Sequence, residues 1–368
     1  MFTKYLALLK KSDWALSLIA IFLVVFGLIA IYSIEAAAES PDYLNFKKQL
    51  IFFGVGLVAL VFFSLLDYRY LRTYGWVLYV AGGLMLLAVL LFGTTIRGTR
   101  GWFILFGDLG FQPVEAVKII MIIILSKFFY DRRAELASIK QVALAFGVAG
   151  LIILLVFLQP DFGSAFIMSA IFLGMLLIVK MKRSYLLGIG LILLVVMVGS
   201  WMFILQDYQK ERVATFLDPG RDPYGSGYNI KQSIIAVGSG NLLGRGLSLG
   251  PQSRLDFLPV QETDFIFAVI AEELGFVGSS LVLLVITLFI YRLIRIARKA
   301  SDDFGLFLLS GVIIYFASQS ILNIGMNIGI LPIAGVPLPL VSYGGSSLIA
   351  SLIAIGVVQS VKIHQATT

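Results

Sequence analysis

One carboxylate, Asp264, stands where the longest polar stretch of the sequence gives way to an apolar run, within LDFLPVQETDFIFAVIAEELG at 255–275. At the start of a helix, a carboxylate either caps unpaired amides or serves as a general base. A second pair, Glu115 and Lys118, lies in QPVEAVK at 112–118, three residues apart and so on one helical face. It reads as a structural ion pair or, together with Gln112, as a substrate contact. Gln319, Asn323 and Asn327 repeat every four residues, a spacing that suits hydrogen bonds between helices or the lining of a polar cavity. In PLPLVSYGGSS at 337–347 the prolines and glycines forbid a regular helix, so Ser342 and Tyr343 fall in a broken entry beside the site. Glu272 and Glu273, about two turns beyond Asp264, read as buried structural groups. Cysteine is absent and the lone histidine, His364, is in the C-terminal tail, so proton transfer near neutral pH falls to carboxylates, lysines and tyrosines.

The elements that must hold these residues are membrane helices. Hydrophobic residues make up 59% of the chain and charged ones 13%, against about 45–50% and 25% in soluble domains. Ten segments approach the ~20 apolar residues needed to cross a bilayer: 14–34, 49–66, 74–92, 111–129, 142–158, 162–179, 185–205, 264–291, 305–327 and 346–361. The fifth and sixth are parted by a tight turn, Gln159-Pro160-Asp161. The first apolar run is longer than a signal peptide's core and is read as a retained span. The expectation is an all-α polytopic membrane protein forming one integral domain over 1–368. Most of the 28 lysines and arginines collect on one side of this map, which assigns both termini to the cytoplasm and the long 206–262 loop, between the seventh and eighth spans, to the outside. That loop is dense in turn signals, and 228–237 suits a short amphipathic helix on the membrane surface. The formal charge of +7 is split among short clusters, a footprint of membrane topology and lipid contact rather than of nucleic acid.

The motifs LDYR at 66–69, QPVE with Lys118, QPDFG at 159–163, GSG at 238–240, TDFIF at 263–267, AEELG at 271–275 and 337–347 together resemble the SEDS family of shape, elongation, division and sporulation proteins, over nearly the whole chain. Gly250-Pro251-Gln252-Ser253 is similar to its elongation branch more than to its division branch. The resemblance implies a ten-span peptidoglycan glycosyltransferase that polymerises lipid II outside the cytoplasmic membrane, working with a class B penicillin-binding protein. It makes Asp264 the essential aspartate, with Glu115 and Lys118 the fourth-span pair. Acting as base on the acceptor sugar hydroxyl, Asp264 would let it displace the lipid diphosphate with inversion. Arg212, Arg221, Lys231, Arg245 and Lys118 are the candidate diphosphate ligands, with or without a divalent cation, Mg or Mn, and with no organic cofactor. A lipid II flippase, a division-type polymerase and a non-catalytic scaffold remain as alternatives.

Overall fold

The computed structural model describes residues 8–37, 40–96, 98–104, 109–132, 138–179, 188, 199, 202, 207–218, 220–222, 225–255 and 257–365. In chain order the elements are α1 (Trp14–Ala37), α2 (Leu44–Leu65), α3 (Arg69–Phe92), β1 (Thr94–Ile96), β2 (Thr99–Ile104), β3 (Gly110–Phe111), α4 (Pro113–Asp131), α5 (Ile139–Phe157) and α6 (Phe162–Ile178). They continue with α7 (Asp207–Leu217), α8 (Ser226–Ser239), α9 (Pro251–Arg254), α10 (Ile266–Ala297), α11 (Asp303–Asn327) and α12 (Gly345–Gln365). Among the described residues seven helices, α1, α2, α3, α5, α10, α11 and α12, are long and apolar enough to cross a membrane. The expected span at 185–205 lies outside the described residues.

Helices α4 and α11 form the centre. Val117, Met121, Ile124 and Phe128 of α4 are buried beside Leu308, Val312 and Phe316 of α11, in the main apolar cluster. The flanking helices turn apolar side chains outward: Val58 and Phe62 on α2, Val77 and Leu84 on α3, Leu151 and Leu154 on α5. Surface of that kind is stable against lipid and is a liability in water. At one end of the bundle, Tyr68 donates from its hydroxyl to Asp302 (2.8 Å), tying the α2–α3 corner to the start of α11. Burial, and then this carboxylate, push the Tyr68 phenol up to about 12.

Four expectations change. The chain is not wholly helical: β1, β2 and β3 form an antiparallel sheet in sequence order, paired through Thr95 with Arg100 and Phe103 with Phe111. It sits on the Gln159 turn, where the Arg100 amide donates to the Gln159 carbonyl (3.2 Å) and Gln159 Nε2 donates to the Leu86 carbonyl (3.1 Å). Second, α2 starts five residues before the expected 49, because the Glu35 carboxylate accepts from the amides of Asn45 (2.7 Å) and Phe46 (3.1 Å) and stabilises the helix start. Third, α8 is longer than the expected 228–237, running from Ser226 to Ser239 with Ile234 and Ile235 exposed on one face. Its other face is tucked into the protein, with Ile230 and Ala236 buried and Ser233 Oγ donating to the Asn327 carbonyl (2.8 Å).

The fourth difference shapes the site. Asp264 does not begin the eighth span; α10 starts at Ile266 with Phe265 as its cap, and at Gly275 the backbone leaves the helix with φ 66 and ψ −161. That conformation is open essentially to glycine alone. The groups freed by the break are satisfied from the 241–246 turn. The amides of Arg245 and Gly246 donate to the carbonyls of Glu272 (2.9 Å) and Glu273 (3.0 Å), while the amides of Phe276 and Val277 donate to the carbonyls of Asn241 (2.8 Å) and Leu242 (3.1 Å). The turn therefore caps both ends of the interruption.

Candidate active site at the Asp264 turn

Two elements converge on the backbone just before α10. From α11, Asn323 Nδ2 donates to the Asp264 carbonyl (3.0 Å) and Asn327 Nδ2 donates to the same oxygen (2.9 Å). From the irregular 328–344 segment, Ser342 Oγ donates to the Thr263 carbonyl (2.5 Å) and the Tyr343 amide donates to the Glu262 carbonyl (2.8 Å). Three consecutive carbonyls, 262 to 264, are thus fixed by donors from distant sequence. The asparagine side chains are themselves held: Asn323 Nδ2 also donates to the Val336 carbonyl (2.7 Å), and Asn327 Oδ1 accepts from the Ala268 amide (3.0 Å). Both asparagine side chains are fully buried, and losing a hydrogen bond from such a group is costly.

The second half of the 328–344 segment is packed within the protein, with Val336, Leu338, Leu340, Val341 and Ser342 buried. Gly27 of α1 and Gly163 of α6 let it approach: a Cβ at Gly27 would lie 2.1 Å from the Val341 carbonyl oxygen, and one at Gly163 2.3 Å from that of Ala334. On its α2 side, Gln49 Nε2 donates to the Ser342 carbonyl (3.0 Å) and Gln49 Oε1 accepts from the Gly344 amide (3.1 Å). Gly335, at φ 64, brings the segment beside the carboxylate; a Cβ there would lie 3.8 Å from Asp264 Oδ2. Burial, and then the nearby Glu262 carboxylate, raise the Tyr343 phenol above its ordinary value.

A polar path leads from here to the fourth-helix pair. Gln319 Nε2 donates to the Pro337 carbonyl (3.0 Å), and Lys118 Nζ donates to Gln319 Oε1 (3.5 Å) and to Glu115 Oε1 (2.8 Å). Lys118 Nζ also lies 5.7 Å from the centre of the Tyr315 ring. Glu115 Oε2 has no partner among the described residues. Gln112 is engaged at the mouth of α4, its amide donating to Ser346 Oγ (3.0 Å) and its Nε2 to Asp161 Oδ2 (3.4 Å).

The structure brings together Asp264, Asn323, Ser342 and Tyr343, and links them through Gln319 to Glu115 and Lys118. Asn323 and Ser342 donate to backbone carbonyls, which for Asn323 is the hydrogen bonding between elements that its four-residue spacing suited. Lys118 is fully buried and pairs with Glu115. The outer cations stand apart. Arg221 pairs with Asp218 at 3.6 Å on the exposed surface, Lys231 is exposed on α8 and Arg245 on the 241–246 turn. Arg212 falls on α7, and its side chain lies outside the described residues. Among the described residues no three His, Asp or Glu side chains gather as a metal-ligand set. Glu272 is structural: its two oxygens accept from the amides of Gln252 (2.8 Å) and Ser253 (3.0 Å) at the start of α9. Sequence reasoning missed Gln49 and Glu35, for which the only signal was a lone amide and a lone carboxylate at the edges of apolar runs.

Known proteins resemble this chain over nearly its whole length. Residues 13–367 match the family model described as a cell cycle protein and named for FtsW, RodA and SpoVE. Stage V sporulation protein E of Bacillus subtilis is 37% identical over 364 residues, covering 96% of this chain and 98% of its own. The peptidoglycan glycosyltransferase MrdB of Escherichia coli K12 is also 37% identical, over 97% of this chain and 96% of its own. Among solved structures, a chain from a study of polymerization and crosslinking by a peptidoglycan synthase complex superposes with a TM-score of 0.84 at 31% identity, covering 97% and 99% of the two chains. The rod shape determining protein RodA of Thermus thermophilus gives 0.71 at 28% identity, covering 95% and 96%. With seven spanning helices among its described residues and a full-length match, this multi-pass membrane protein belongs to the FtsW, RodA and SpoVE family of cell cycle proteins, the SEDS family.

Proposed function

We propose that the chain is a peptidoglycan glycosyltransferase of ten spans that polymerises lipid II at the outer face of the bacterial cytoplasmic membrane, with Asp264 as its general base. The observation that carries this reading is the clamp on the 262–264 carbonyls: two buried asparagines, a buried serine and a backbone amide fix Asp264 one residue ahead of Phe265, which is the helix cap. A base needs a fixed position before it needs a shifted pKa. The names of the MrdB and FtsW relatives support the reaction class.

In the step proposed, a carboxylate oxygen of Asp264 takes the proton of the acceptor sugar hydroxyl while the hydroxyl oxygen bonds to the anomeric carbon of the growing strand. The bond from that carbon to the diphosphate breaks, and the diphosphate leaves with the electron pair, which inverts the centre. Asn323, Asn327 and Ser342 act by positioning. Arg212, Arg221, Lys231 and Arg245 are the groups proposed for the diphosphate. Asp264 with diphosphate oxygens is also a donor set that fits Mg or Mn, which supplies charge neutralisation when bound. The synthase-complex likeness supports a class B penicillin-binding protein as partner, and we place the activity in wall elongation. We keep both termini cytoplasmic, 206–262 outside, and 1–368 as one integral domain.

The test is strand formation from labelled lipid II by the purified chain with its partner. Asp264→Asn is expected to slow it about 100-fold or more. A wild-type rate for this variant would overturn the assignment; lipid II crossing a bilayer with no strand formed by the wild type would indicate a flippase.

A further inference from the structure

At the end of the bundle away from Asp264, α1, α10 and α12 enclose a pocket of about 360 Å³ lined by Asp13, Trp14, Arg292, Arg295, Lys299 and Lys362, among others. Its floor is built. Asp13 is buried and takes a bidentate bond from Arg292 Nε (2.9 and 3.0 Å) with Nη2 at 2.9 Å, while its own Oδ1 accepts from the Leu16 amide (3.0 Å). Gln359 of α12 holds the Asp13 backbone from both sides, Oε1 accepting from its amide (2.7 Å) and Nε2 donating to its carbonyl (2.8 Å). With Asp13 answered by Arg292, three further cations point into the same space. Arg295, Lys299 and Lys362 form no ion pair among the described residues, so the lining keeps three uncompensated positive charges.

Two observations set what answers them. Trp14 and Tyr291, both exposed, flank the pocket, and amphipathic rings of this kind sit at head-group depth. Directly along the helices from the cations run exposed apolar side chains on the same faces: Leu288 and Leu284, four and eight residues before Arg292, and Leu18, four after Trp14. A phosphate in the pocket therefore has acyl-chain surface beside it. We infer that this pocket binds the phosphodiester head group of an anionic membrane lipid, its acyl chains lying on α1 and α10. Basic pockets between spanning helices take such head groups, and each cation near the surface adds to the attraction.

The experiment uses the full chain in neutral detergent, with lipid retention read by native mass spectrometry. Dioleoylphosphatidylglycerol is expected to be retained about tenfold more than dioleoylphosphatidylcholine, and millimolar inorganic phosphate is expected to leave that adduct in place. The triple variant Arg295→Gln, Lys299→Gln, Lys362→Gln is expected to lose the preference, and each single substitution to reduce it about twofold, which keeps the question answerable should the triple variant not fold. Lys47→Gln with Lys48→Gln, at the other end of the bundle, is expected to leave the preference intact. Equal retention of the two lipids, a preference untouched by the single and triple variants, or full displacement by inorganic phosphate would each overturn the inference.

Discussion

The two parts of α10 on either side of Gly275 have similar apolar character and opposite surroundings. From Ile266 to Glu273 every residue is buried, carboxylates included. Beyond the break, burial falls to a stripe of Gly278, Val282, Ile286, Phe289, Leu293 and Ile296, while Phe276, Val277, Leu284 and Leu288 face outward. The first part is held by protein on all sides and carries the backbone that presents Asp264. The second is a membrane helix with one packed face. The comparison teaches that a site in a membrane protein can be separated from the lipid-facing body within one helix, by a single residue that permits the turn.

The strongest way to break that separation is Gly275→Ala. Its Cβ would lie 2.3 Å from the Gly244 amide nitrogen and 2.7 Å from the Leu242 carbonyl oxygen, both backbone, in a conformation that L residues do not adopt. The variant is expected to lose about 3 kcal/mol or more in thermal unfolding and to lose strand-forming activity with it. A stable, active variant would mean that the 241–246 turn moves aside at little cost.

A second substitution separates position from stability. Asn327→Leu keeps the branched shape and the number of side-chain heavy atoms but removes the donor to the Asp264 carbonyl and the acceptor of the Ala268 amide. Polymerisation is expected to fall about 100-fold through displacement of Asp264, with KM for lipid II little changed. An unchanged turnover number, measured alongside unfolding, would show that Asn323 and Ser342 suffice to hold the turn.

What the sequence made legible follows from solvent. Apolar runs report that a segment avoids water, so nearly every described span fell where expected, and the four-residue spacing of Gln319, Asn323 and Asn327 placed three amides on one face. Asp264 was legible as a carboxylate at a boundary. The partners were not. Gln252 and Ser253 cap Glu272 across some twenty residues, Arg292 reaches Asp13 across nearly the whole chain, and Gln49 pairs with the Ser342 backbone, all set by tertiary placement rather than periodicity. The break at Gly275 was hidden for the same reason: a glycine in an apolar run is tolerated in a continuous helix, and only the amides and carbonyls of a remote turn make the interruption stable. The β-sheet escaped because its strands are short and flank a turn, with no alternation long enough to stand out.

The smallest expected effect sharpens the comparison from its other side. Leu284 lies ten residues from Leu274, has similar hydropathy, and is exposed on the far part of α10, whereas Leu274 packs against the main core. Truncating a side chain that faces lipid opens no cavity in the protein, since acyl chains refill the space. Leu284→Ala is therefore expected to change unfolding by less than about 0.5 kcal/mol and to leave strand formation at the wild-type rate. Leu274→Ala removes atoms of a partly buried side chain packed on the core, and its cost is expected to exceed that of Leu284→Ala by about 1 kcal/mol. Equal costs at the two leucines would place both parts of α10 in one environment, and the boundary at Gly275 would then be a bend in the backbone without being the edge of the site.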